Sequence, residues 1–194
     1  MFIRSLAAAL FYLSWMVLFL GSITAGVCAK VTEDFVWHHL ETRHTIIHYR
    51  SIEDLKQFDR KIAYHTGKWG VLSTIFRSNS DTIHDKVTKK TDGIFEKAQQ
   101  LLDMRKRMDK VNIYICRNKK QLHDNYYKIF RRPCRYRAWY AYELNAVYVN
   151  HQDLDEGMLS HELAHSIIDH YLLVRPPRAS AEILASYVDR HLFD

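Results

Sequence analysis

The segment SHELAHSIIDH, residues 160–170, constrains the fold most strongly, because it places two histidines four residues apart in a helical pattern. Side chains at this spacing lie on one face of a helix, so His161 and His165 are expected to direct their imidazoles to a common point. Glu162 follows the first histidine directly and projects to the side of the pair. Two neutral imidazoles can hold a zinc ion in this arrangement, with the adjacent carboxylate within reach of a water on the metal.

Two helices are predicted in this part of the chain. The first spans residues 154–172, with Asp153 or Asp155 as its N-cap, and the prolines at 176–177 end it. The second lies in RASAEILASYVDRHL and carries a face of small and apolar side chains that suits close packing. The residues of that face are Ala181, Leu184, Ala185 and Val188.

A zinc ion needs at least one further protein ligand to be held tightly. His170 lies five residues beyond His165, which places it around the helix rather than beside the histidine pair. Glu182 stands at the start of the second helix among apolar neighbours, where burial of an isolated carboxylate is costly unless a metal compensates its charge. The sequence therefore predicts a zinc site formed by His161, His165 and Glu182.

This combination of HELAH and a glutamate on the next helix resembles the gluzincin metallopeptidases, in which that glutamate is the third zinc ligand. The small size resembles the minigluzincins, and the similarity is best over residues 110–191. The resemblance implies a zincin-like α+β domain, with a small mixed or antiparallel sheet packed on helices and the two site helices at its C-terminal end. It also implies a zinc-dependent metalloendopeptidase that hydrolyses a peptide or protein substrate with a metal-activated water and Glu162 as general base.

The resemblance implies two further features of the site. An active-site edge strand is expected just upstream of the motif helix, where it would lie antiparallel to a bound peptide. The residues expected in that strand are Ala146, Val147, Tyr148, Val149 and Asn150. A tyrosine or histidine is expected to stabilise the oxyanion, and the candidates are Tyr148, Tyr187 and His191.

The sequence departs from the gluzincin pattern at two places. Many gluzincins carry an acidic residue four positions after the glutamate ligand, whereas this chain has Ser186. Thermolysin-like members also carry a downstream domain with a transition-state stabiliser, whereas twelve residues follow Glu182 in this sequence. The alternative function is a non-catalytic zinc-containing binding module, whose basic, tyrosine-rich surface captures a component of the cell envelope.

The N-terminal residues 1–29 have the order of a secretory signal: a short basic start, an apolar run and a small-residue stretch. Cleavage is expected before Lys30, which leaves residues 30–194 as a single domain without repeats or linkers and without membrane contact. The alternative is an uncleaved membrane anchor over residues 6–29. The protein is therefore expected to be exported, to the periplasm or the extracellular space.

Two cysteines, Cys116 and Cys134, remain after such cleavage. An even pair in an exported chain predicts a disulfide, and the alternative is two separate buried thiols. The net charge of +6 is concentrated in MRKRMDK and RRPCRYR. An exported protein rarely meets nucleic acid, so these segments are interpreted as solvated faces and no nucleic-acid partner is expected.

In the mature chain strands are predicted to lead and helices to close the sequence, which indicates an α+β domain. Tyr140, Tyr142 and Tyr148 are expected to fill the sheet rather than to line substrate subsites. Ser51 is the predicted N-cap of a helix that ends near Gly67. The other predicted elements are a hairpin from DFVWHHL and HTIIHYR, a long helix over 83–102, a strand at KVNIYIC, a helix over 118–130 and a hairpin from AWYAY and AVYVN.

Overall fold

The computed structural model describes residues 36–62 and 82–194. The predicted signal segment at 1–29 lies outside these described residues, whereas the helix that was expected to end near Gly67 ends earlier, at Lys61, with Ile62 as its C-cap. Within the described ranges the chain has an α+β fold with one five-stranded mixed sheet and five α-helices. No helix in these ranges combines the length and the apolar character that a membrane span requires.

The sheet has the spatial order β1-β2-β3-β5-β4. The first two strands form the predicted antiparallel hairpin, and β3 and β5 then add to it in parallel. The last strand, β4, pairs antiparallel with β5 and closes the sheet on that side. The strands are β1 His38–Glu41, β2 Thr45–Tyr49, β3 Val111–Cys116, β4 Ala138–Ala141 and β5 Ala146–Asn150.

The expected edge strand is an interior strand. β5 pairs with β3 on one side and with β4 on the other, and all five of its residues are buried. The prediction that Ala146, Val147, Tyr148, Val149 and Asn150 form an exposed edge is therefore wrong. A strand covered on both faces and paired on both sides consists almost wholly of apolar residues, as AVYVN does. The edge of the sheet on this side is β4.

The first three helices begin next to side chains that cap them. Ser51 precedes α1, Ile52–Lys61, and its side chain accepts a hydrogen bond from the backbone of Asp54. Thr82 forms a capping box with Asp85 at the start of α2, Ile83–Leu102. Asn118 caps α3, Lys119–Phe130. These helices confirm the elements that apolar spacing predicted between the strands.

The last two helices, α4, Glu156–Tyr171, and α5, Arg178–His191, hold the predicted motif and its glutamate. Asp155 is the N-cap of α4, where its Oδ1 accepts a hydrogen bond from the Met158 amide at 2.8 Å. The two helices pack against each other and against the main hydrophobic core. Their core residues are Leu159, Leu163, Ala164, Ile167, Ile168, Ala181, Ala185 and Val188.

The two predicted disulfide cysteines are both free and buried, so the predicted disulfide is not formed. Cys116 ends β3, and its sulfur accepts a hydrogen bond from Asn125 on α3 at 3.5 Å. Cys134 follows α3 and directs its thiol to the backbone oxygen of Tyr136 at 3.7 Å. Each sulfur has its own polar partner within a second hydrophobic cluster that also contains Trp139. The alternative of two separate buried thiols describes this structure.

Candidate metal centre

The motif helix presents two unlike faces. Its apolar residues lie in the main core, whereas His161, Glu162 and His165 are only half-buried and line a cavity. Ser166 fixes the helix to the β4–β5 hairpin, because its hydroxyl donates to Oδ1 of Asn145 at 2.8 Å. Asn145 adopts a left-handed backbone at the turn, with φ of 41°, which asparagine tolerates better than most residues. The hairpin and the helix are thereby held in register.

The three predicted metal ligands converge. The Nε2 atoms of His161 and His165 lie 3.2 Å apart. Oε2 of Glu182, on α5, lies 3.5 Å from Nε2 of His161 and 3.6 Å from Nε2 of His165. Among the described residues, these three form the one group of three or more histidine, cysteine, aspartate or glutamate side chains whose ligand atoms lie close enough to hold a metal. The structure therefore brings together the three residues that the sequence selected.

The donor set fits a zinc ion. Ligand atoms at about 2.0–2.1 Å from a tetrahedral zinc are separated by about 3.3–3.4 Å. The three observed separations, 3.2, 3.5 and 3.6 Å, are close to that value. Two imidazole nitrogens and one carboxylate oxygen also leave one tetrahedral position for water or substrate, as in catalytic zinc sites.

The electrostatic surroundings favour the neutral imidazole of His165. Burial lowers the pKa of His165, and the neighbouring His161 lowers it further, while the charge of Glu182 acts in the opposite direction. Neutral imidazole is the form that binds metal. The second oxygen of Glu182, Oε1, lies 3.5 Å from Nε of Arg178, one turn earlier on α5. This contact directs Oε2 toward the histidines.

Glu162 lies in the same cavity and is partly buried. Burial raises the pKa of this carboxyl to about 8, and the negative charge of Glu182 raises it as well. A hydrogen bond from the backbone of Tyr140, on the edge strand β4, lowers the pKa of Glu162 in opposition. The structure thus places the predicted general base between the metal ligands and the sheet edge.

The cavity has a volume of about 500 Å³. The three predicted ligands and Glu162 form one part of its lining, and residues from α3, β4, the segments that follow these two elements, α4, α5 and the turn between those helices form the rest. The remaining lining residues are Tyr126, Phe130, Arg132, Tyr136, Trp139, Tyr140, Tyr142, Glu143, Asp169, Arg175, Pro176, Arg178 and Ala181.

The three residues expected to stabilise an oxyanion lie outside this lining. Tyr148 is 8% exposed and is stacked in the second hydrophobic cluster, with its ring centroid 3.9 Å from that of Trp139. Tyr187 is 45% exposed and packs against His191, which in turn bonds Asp194. The structure brings none of the three to the metal ligands.

Two tyrosines that the sequence patterns did not select reach the cavity. Tyr140 and Tyr142 line it, contrary to the expectation that they only fill the sheet, whereas that expectation is correct for Tyr148. The hydroxyl of Tyr140 lies 3.1 Å from Nε2 of His170, the histidine that is not expected to be a ligand. The available signal was the pair of phenolic hydroxyls two residues apart, because a buried tyrosine hydroxyl usually needs a polar partner.

Asp169 is a further cavity residue that the sequence analysis did not predict. Its buried carboxylate pairs with Nε of Arg175 at 3.1 Å, and its charge raises the pKa of His165. It lies one helical turn after His165, so the same i, i+4 spacing that selected the histidine pair was the available signal.

Comparison of the chain with protein-family models, with curated proteins and with solved structures found no significant match. The chemistry of the site is therefore inferred from its own residues and their geometry.

Proposed function

We propose that this protein is a zinc-dependent hydrolase that cleaves peptide bonds, with the zincin-like architecture that its resemblance to the gluzincins implies. The observation that carries the proposal is the convergence of His161, His165 and Glu182 within 3.6 Å of one another, beside the carboxyl of Glu162. A structural zinc site usually has four protein ligands, whereas this site offers three, the number typical of a catalytic zinc site. A carboxyl group near the metal would serve metal-assisted hydrolysis as the base.

Zinc bound by these three ligands supplies a Lewis acid, which polarises a carbonyl and makes water acidic enough to deprotonate near neutral pH. With the positive charge of zinc nearby to favour its ionised form against the burial that raises its pKa, Glu162 accepts the proton of the attacking water and delivers it to the amine that leaves. The backbone of Tyr140 holds the Glu162 carboxyl in place for both transfers. Glu182 keeps its orientation through Arg178 while its other oxygen faces the histidines.

The edge strand β4 supports a peptide as the substrate. β4 is at the edge of the sheet, with β5 on its one paired side, and Trp139 and Tyr140 of this strand contribute to the cavity lining. An extended peptide can add to such an edge through main-chain hydrogen bonds. The substrate strand that was expected on β5 is therefore assigned to β4, Ala138–Ala141.

A Glu162→Gln substitution tests the proposal, because it removes the base and keeps the shape of the side chain. Zinc content, measured by elemental analysis, is expected to stay at one ion per chain. Hydrolysis of a peptide library is expected to fall by roughly 10²- to 10⁴-fold. Glu156→Gln is the matched control, since Glu156 starts the same helix and does not line the cavity. A zinc-loaded wild-type protein that cleaves no peptide would instead support the non-catalytic binding module.

We propose that the protein acts outside the cytoplasm, in the periplasm or the extracellular space. This proposal depends on the predicted signal segment at 1–29, which lies outside the described residues. N-terminal sequencing of the exported protein is expected to begin at Lys30. A chain that keeps residues 6–29 and sediments with membranes would indicate the anchor instead.

A further inference from the structure

One wall of the cavity consists of aromatic rings and an arginine and contains none of the metal ligands. Arg132, from the basic segment RRPCRYR, follows α3 and lines the cavity together with Tyr126 and Phe130 of that helix. The guanidinium carbon of Arg132 lies 5.8 Å from the ring centroid of Tyr126 and 5.7 Å from that of Phe130. Arg132 is exposed to solvent, and these cation–π contacts favour a guanidinium that lies against the wall rather than one that extends away from it.

A hydrogen bond fixes the orientation of this arginine. Nε of Arg132 donates to the hydroxyl of Tyr126 at 3.1 Å, and the Tyr126 side chain is itself anchored, with 4% of the residue exposed. The bond uses the Nε–H and leaves the N–H groups of the two terminal nitrogens to other acceptors. A guanidinium held in this way presents parallel donors, which match the two oxygens of a carboxylate.

Arg132 differs from the two other arginines of the cavity. Arg175 pairs with Asp169, and Arg178 pairs with Glu182. Within residues 36–62 and 82–194, no carboxylate lies within ion-pair distance of Arg132. The cavity therefore combines a cation that lacks a carboxylate partner with a metal centre on the same continuous surface.

The wall is connected to the metal centre through a second tyrosine. The ring of Tyr136 lies 5.7 Å from that of Tyr126, and its hydroxyl accepts a hydrogen bond of 3.5 Å from Arg178. Arg178 in turn contacts the ligand Glu182. A cavity of about 500 Å³ is large enough to hold a few residues of a peptide along this wall.

We propose that Arg132, with Tyr126 and Phe130, is a carboxylate-binding subsite, so that the substrates are peptides with a carboxylate near the bond to be cleaved. This inference rests on the proposed peptide hydrolysis and specifies its substrate class. The aromatic rings give apolar surface to the carbon chain that bears the carboxylate. That carboxylate belongs either to an acidic side chain or to the free C terminus of the peptide.

Calorimetric titration of the metal-free protein with three acetylated tripeptides tests the subsite without relying on catalysis. The first is Ala-Glu-Ala amide, the second is Ala-Gln-Ala amide, and the third is Ala-Gln-Ala with a free C-terminal carboxylate. Because a charge-assisted hydrogen bond contributes about 1.5–3 kcal/mol, one or both carboxylate peptides are expected to bind roughly 10- to 100-fold more tightly than the neutral amide. The tighter of the two identifies the source of the carboxylate.

Substitutions separate the subsite from a general effect of positive charge. Arg132→Gln is expected to abolish the preference, and Arg132→Lys to retain only part of it, because lysine lacks the parallel donors. Arg135→Gln removes the same charge from an exposed residue outside the cavity lining and is expected to leave the preference unchanged. Equal binding of all three peptides, or a preference that survives in Arg132→Gln, would overturn the inference.

The two proposals fail in distinguishable ways. If the carboxylate preference depends on Arg132 but the zinc-loaded protein hydrolyses nothing, the subsite stands and the peptidase proposal falls. If library peptides are cleaved in a manner that depends on Glu162, while Arg132→Gln leaves peptide binding unchanged, the peptidase proposal stands and the subsite proposal falls.

Discussion

Oε2 of Glu182 on α5 lies 3.5 Å from Nε2 of His161 on α4, so two helices separated by a proline-containing turn share one site. The histidine pair is a local property of α4, because it depends only on helical spacing. The third ligand depends on tertiary structure, since its distance is set by how α5 packs on α4. The geometry of the proposed metal centre therefore depends on that packing.

Removal of the third ligand is expected to weaken zinc binding strongly. In Glu182→Gln, the two histidines remain but the anionic oxygen is lost. Loss of groups that merely orient a ligand typically lowers metal affinity by about 10- to 100-fold, so loss of a ligand is expected to exceed that range. Competition with a zinc chelator measures the change. Glu143→Gln, which neutralises another carboxylate of the same cavity, is expected to change the affinity little. Equal affinities of the wild type and Glu182→Gln would contradict the assignment.

The small residues between the two helices are expected to control the same affinity. Ala185 is fully buried on α5, and Ala185→Leu forces the helices apart or displaces their neighbours. Overpacking of this kind costs about 1–3 kcal/mol of unfolding free energy, and it moves Glu182 relative to the histidines. Denaturant unfolding is expected to show a lower free energy of unfolding, and chelator competition is expected to show a lower affinity for zinc. Ala179 is an exposed residue on α5, so Ala179→Leu should change neither the free energy of unfolding nor the zinc affinity appreciably.

The local features of this fold could be predicted from the sequence. Ser51 caps its helix as expected, and Asp155, one of the two candidates, caps α4, because a cap depends on a few neighbouring residues. The motif histidines face one cavity for the same reason. Glu182 was selected because a carboxylate buried among apolar neighbours needs a partner, but its side chain is 44% exposed, and it reaches the histidines because the turn after α4 brings α5 back onto that helix.

Features that depend on long-range pairing could not be predicted from local patterns. The hairpin of β4 and β5 can add to β3 through either strand, and its sequence alone does not state which strand becomes the edge. Tyr148 is buried because β5 is an interior strand of the sheet, and Tyr140 reaches the cavity because β4 is an edge strand. Cys116 and Cys134 illustrate the same limit, since spacing along the chain does not determine the distance between two sulfurs.

The two buried cysteines are expected to behave as free thiols. In a Cys28→Ser background, a thiol reagent such as DTNB at about pH 8 is expected to react slowly with the native protein, because burial raises the pKa of both Cys116 and Cys134 and shields their sulfurs. After denaturation without a reductant, two thiols per chain are expected to react. A disulfide between these residues would leave none.

The same burial predicts a loss of stability at alkaline pH. Burial raises the pKa of the Cys116 thiol to about 12 and that of the Tyr148 phenol to about 12. Both groups are neutral near pH 7 in the folded and unfolded states, so the full stability is present below the unfolded pKa values of about 8.5 and 10. Above them the unfolded chain releases protons that the folded protein retains, and the free energy of unfolding falls as pH rises toward about 12.

Each such group contributes a slope of up to about 1.4 kcal/mol per pH unit to this decline, and solvent screening of a partly exposed group reduces it. Cys116→Ala removes one titrating group and is expected to flatten the dependence between about pH 9 and 12. Tyr148→Phe preserves the ring that stacks between Tyr114 and Trp139. This substitution is expected to flatten the pH dependence of the unfolding free energy at the upper end of the same pH range. Urea unfolding at a series of pH values measures the slopes, with Tyr127→Phe as the exposed control. Parallel curves for Cys116→Ala and the wild type would show that this thiol is not protected by the fold.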